Sequence, residues 1–273
     1  TVHGITDWIG AKYGEDWRSA GRQTKLLPTD YVKHLPFEMT TLPEIFKANG
    51  YKTFFGEEFC DGEWSVRKSL DIHPDHLHDV SYCKLGYGIY EYLCNGKDLT
   101  TMFPLEQIRF FVNNYNQEAH LVFVSLILLH NMNHASTNLG GKLEDYQIQL
   151  LNRFDHDLAM WIKKMTNSLL KSERNFLLIL KGDHGFRYDS RNFDTYDMSF
   201  HKNKPFLHIV SNMKSNFIVE NSNKLTSPFD IYDMLFDMIN DKIGNNMFYQ
   251  RSPVKTCRES GIKQRFCQCP SIV

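Results

Sequence analysis

Two stretches of the chain carry apolar side chains without alternation. HLVFVSLILLH, residues 120 to 130, and NFLLILK, residues 175 to 181, have the pattern of strands covered on both faces of a parallel sheet. Between them, LEDYQIQLLNRFDHDLAMWIKKMTNSLL (143 to 170) places Ile148, Leu151, Leu158, Trp161, Ile162 and Met165 at spacings of three, four and seven, which is one apolar stripe of a helix. Strand, helix and strand together predict a β-α-β unit with a right-handed crossover and parallel strands. Earlier, TTLPEIFKANGYKTFFGEEF gives a short helix from about Leu42, stopped by an Asn49-Gly50 C-cap, and then a β-rich run from Tyr51 to Phe55. Further on, KPFLHIVS (204 to 211) reads as a strand opened by Pro205, a residue suited to an edge or a first position. SPFDIYDMLFDMINDKI (227 to 243) reads as a helix with Ser227 as N-cap, Pro228 at its first position and Asp230 near its positive end. The expected fold is α/β, a mostly parallel sheet flanked by helices. No repeat, low-complexity block or Pro/Gly/Ser linker divides the chain, so one α/β domain over residues 1 to 250 is expected, with a cysteine-containing tail from 251 to 273.

Composition narrows the partners. The 273 residues are 42% hydrophobic, enough for a substantial core. Lys and Arg total 31 against 32 for Asp and Glu, so no net field draws the chain to nucleic acid or anionic lipid. The longest apolar run, Leu121 to Leu129, is about half of the roughly 20 residues a membrane span needs. Neither nucleic acid nor a membrane span is expected. The chain starts at Thr1, and TVHGITDWIG lacks the basic start, apolar centre and small-residue exit of a secretory signal; it reads as a fragment. There are six cysteines, and Cys257, Cys267 and Cys269 crowd the C-terminal end. A secreted or lumenal protein would pair such residues as disulfides. The alternative is free buried thiols with a weak metal site in the tail, which no C-x-x-C pair supports. Connectivity stays open.

The apolar run 175 to 181 stops abruptly in KGDHGFR, where Asp183 and His184 stand between two glycines. In an open parallel sheet, ligands sit in the crevice outside the carboxyl ends of the strands. Flanking glycines let the chain turn sharply and approach a ligand closely, and a carboxylate beside an imidazole offers oxygen and nitrogen donors to a divalent cation. The competing reading is an Asp-Gly turn whose histidine simply packs. HPDHLHD (73 to 79) also crowds histidines and acids, but Pro74 breaks any helix and the spacing fits no ligand register. A polar surface loop is expected there.

Several segments match one family. LKGDHGFR resembles the S-D-H-G-x-R signature of sulfatase-like proteins in the alkaline phosphatase superfamily, FKANGYKTFFGEE their G-Y-x-T-x-x-G-E-D segment, and KPFLHIV their L-P-F-L strand. KLTSPFDIYDMLFDMI is similar to the family's L-T-S-P-F-D-L-H-x-T-L-x-D-I-L helix. The ending KTCRESGIKQRFCQC resembles the R-x-C-x-x-A-G-I-x-x-x-x-C-x-C close of a metazoan branch known as a domain of unknown function. The resemblance runs from about residue 40 to 269. It implies the C-terminal portion of an alkaline phosphatase/sulfatase-like fold, with Asp183 and His184 as ligands of a catalytic divalent metal (zinc, manganese or calcium).

In LLHNMNHAS (128 to 136) the family commonly has H-D-x-x-N, and its histidine contacts the substrate anion. Here His130 keeps its place, while Asn131 replaces the aspartate and Lys181 replaces a serine or alanine. Both changes count against full activity. Asn133 and His134 are nearby alternatives. Arg187, a planar fork two residues beyond Gly185, suits an oxyanion or a carboxylate, and Lys202 or Lys204 would neutralise a sulfate or phosphate oxygen. Enzymes of this superfamily attack with a serine, threonine or formylglycine after an aspartate-bearing strand, and residues 1 to 40 hold no such segment. The resemblance therefore implies a phosphate- or sulfate-ester hydrolase without its nucleophile in this chain, acting on a small anionic ester or a sulfated or phosphorylated glycan. The alternative is a non-catalytic extracellular binding protein that retains the fold.

Overall fold

A computed structural model of the chain describes residues 41–58, 72–79, 94–95, 98–126, 128, 143–182, 205–213, 220–222, 225–226, 228–239 and 256–257. They group into two compact units, one within Ala20–Glu173 and the other within Arg174–Val273.

The first unit opens with α1 (Leu42–Ala48). Glu44 accepts hydrogen bonds from the N–H and the hydroxyl of Thr41, at 2.8 and 3.0 Å, which ties down the chain entering the first turn. The helix stops as its sequence predicts. Gly50 takes φ +85°, a conformation that side chains with a Cβ avoid. Its N–H reaches the Lys47 carbonyl, the Tyr51 N–H reaches that of Phe46, and the Phe46 and Tyr51 rings meet edge-on at 4.8 Å. This pair of bonds with its apolar contact is a Schellman ending.

Released from α1, the chain enters β1 (Lys52–Glu57). β1 pairs in parallel with β2 (His76–Asp79) on one side and with β5 (His120–Ser125) on the other. A short antiparallel pair, β3 (Cys94–Asn95) and β4 (Asp98–Leu99), precedes α2 (Met102–Asn114). α2 lies against the sheet, and α3 (Leu143–Lys171) lies against α2. Phe54, Leu105, Ile108, Phe111, Val112 and Trp161 form the buried core between them. Trp161 satisfies its indole N–H at the Leu105 carbonyl, 2.9 Å away, so the aromatic anchor leaves no buried donor unpaired. Gly56 makes the close packing possible: a Cβ there would stand 3.2 Å from both Phe54 and Val124 and 3.7 Å from Pro104 of α2.

An α/β unit built on a parallel sheet is therefore present, but several boundaries move. β5 ends at Ser125, not at residue 130, because its register with β1 runs out at Glu57. HPDHLHD is not a loop, since its second half is β2. The stripe on α3 bends away from its expected line. Leu158, Trp161, Ile162 and Met165 pack on the core, whereas Ile148 and Leu151 are 55% and 43% exposed and Leu150 and Phe154 turn inward beside Leu99 and Leu128. Two neighbouring partners, the sheet-facing core and the β4 region, ask for different faces of a helix 29 residues long.

The second unit holds β6 (Leu177–Lys181) and β7 (Leu207–Ser211), paired antiparallel with Leu177 opposite Ser211 and Lys181 opposite Leu207. Among the described residues β5 is bonded to β1 and β6 to β7. Side chains fix the antiparallel register. Asn212 accepts from the Phe176 N–H and donates to the Arg174 carbonyl, both at 2.8 Å, and the Ser211 hydroxyl donates to the Phe176 carbonyl at 2.8 Å. Pro205 stands just before β7 rather than opening it. α4 (Pro228–Ile239) begins at Pro228 with Asp230 in its first turn and buries Ile231, Tyr232 and Leu235. Ser227 lies outside the described residues. Cys257 is buried and disulfide-bonded.

Candidate functional site

The two apolar strands that the sequence marks as leading to chemistry end differently. β6 stays paired to its last residue and one step beyond, where the Gly182 N–H donates to the Phe206 carbonyl at 3.1 Å. A Cβ on Gly182 would meet the Phe206 ring at 3.4 Å and Pro205 at 3.5 Å, ordinary van der Waals contact. Asp183 follows Gly182 directly in the sequence. Asp183, His184 and Arg187, together with His130, Asn131, His134 and Lys202, lie outside the described residues. Lys181, the departure from the family pattern, is half-buried at the end of β6.

At the carboxyl end of the parallel sheet, three strand ends stand side by side, with Glu57 in register with Asp79 on one flank and Ser125 on the other. The Glu58 N–H donates to the Ser125 carbonyl at 3.1 Å, which carries the pairing one residue past the strand. Glu57 is 6% and Glu58 8% exposed, and neither residue is without a partner. Burial of two neighbouring carboxylates is costly without compensation. Their position at the rim, where parallel sheets bind ligands, makes Glu57 and Glu58 the acidic groups that the sequence reading passed over. The signal was present in GEEF, directly after the strand. Chemically, they offer oxygen donors and negative charge.

HPDHLHD takes a different role. Asp75 accepts from the backbone N–H and the hydroxyl of Thr53, each at 2.9 Å, and returns its own N–H to that hydroxyl at 2.9 Å. Lys47 adds an ion pair at 3.2 Å. Burial alone would raise the Asp75 pKa, but the hydrogen bonds from Thr53 and the Lys47 ammonium outweigh it and hold the carboxyl below its ordinary 3.8. His76 shares a 2.6 Å hydrogen bond with the Tyr115 hydroxyl and packs edge-on against Phe111. His120 donates from Nε2 to the Tyr115 carbonyl, also at 2.6 Å. These groups fasten β2 to β1 and the end of α2 to the sheet. Among the described residues, no group of three or more His, Cys, Asp or Glu is placed to hold a metal ion.

Compared with family models, curated proteins and solved structures, the chain matches none of them.

Proposed function

We propose that the chain supplies the metal- and anion-binding portion of a metal-dependent phosphate- or sulfate-ester hydrolase of the sulfatase-like type. The observation that carries this reading is the Asp183-His184 pair set immediately after Gly182, whose N–H continues the pairing of an apolar strand. In the proposal, Asp183 and His184 hold zinc, manganese or calcium, and His130 and Arg187 orient the anion, with Asn131, His134 and Lys202 near it. The attacking group is not among these residues. A divalent ion would polarise the ester oxygen and offset charge in the transition state. The disulfide at Cys257 supports a secreted or lumenal setting, and a small anionic ester or a sulfated or phosphorylated glycan is the proposed substrate class. Among the described residues no helix is long and apolar enough to cross a membrane.

Asn131 and Lys181 favour a second reading, a non-catalytic extracellular binding protein that keeps the fold. A neutral amide cannot balance cationic charge, and an ammonium repels a metal. Calorimetric titration of the full chain with zinc, manganese or calcium separates the two. The hydrolase reading expects stoichiometric uptake that Asp183→Ala abolishes while the melting temperature of the metal-free protein stays unchanged. Absence of uptake favours the binder.

A further inference from the structure

We draw no further inference here: the strongest candidate, the buried pair of Thr100 and Thr101 hydroxyls at the start of α2, which have no hydrogen-bond partner, carries nothing because the first turn of that helix has its Phe103 N–H on the Thr100 carbonyl and no N–H at Pro104, so that nothing in the structure shows what would occupy it.

Discussion

Thr53 and Asp75 show how much can depend on two short side chains. Their three mutual hydrogen bonds hold the start of β2, a four-residue strand, against β1. Thr53→Val keeps the shape and removes the hydroxyl, leaving the Asp75 carboxylate and N–H each short of a partner. A loss of about 1–3 kcal/mol is expected, read as a lower denaturation midpoint and faster hydrogen exchange at the β2 amides. The same carboxyl sets a pH dependence. Its folded pKa lies below 3.8, so its contribution is present in full above that value and disappears as pH falls through the lowered folded one. Asp75→Asn is therefore expected to flatten the acid limb of stability below about pH 4, measured by urea melts across pH; an unchanged limb would contradict the clasp. None of this was legible in HPDHLHD. Histidines that pack on Phe111 and Tyr115 have the same letters as histidines that bind a metal, and only the partners, distant in sequence, tell them apart.

At the scale of elements, the end of α1 was readable because a local glycine and a local aromatic decide it, whereas α2 was not foreseen although Leu105, Ile108, Phe111 and Val112 form a stripe. Strand lengths failed for a related reason. An apolar run specifies burial, and where β5 stops is set by its neighbour β1. Antiparallel pairing of β6 with β7 escaped the sequence because a β-α-β pattern does not say which strands share hydrogen bonds. Two substitutions test the packing. Gly56→Ala puts a methyl 3.2 Å from Phe54 and Val124 and is expected to cost about 1–3 kcal/mol as overpacking, seen as a fall in melting temperature. On α3, Trp161→Ala is expected to cost about 3–5 kcal/mol, while Ile148→Ser, at a site 55% exposed, stays within about 0.5 kcal/mol. Equal effects at the two positions in thermal melts would contradict the turn of the stripe.

For the whole molecule, the α/β character and the parallel setting of β5 followed from the sequence, the antiparallel partner of the run at 177–181 did not, and neither did the acidic rim, because GEEF reads as polar surface until three strand ends are brought into register. Two neighbouring side chains after β6, Asp183 and His184, carry the proposed function. The most direct measurement is an anomalous difference map from crystals grown with manganese or zinc. A single ion within roughly 2.0–2.3 Å of an Asp183 oxygen and a His184 nitrogen is the result expected. A map in which the two groups diverge, or are closed in by apolar neighbours with no ion between them, would contradict it.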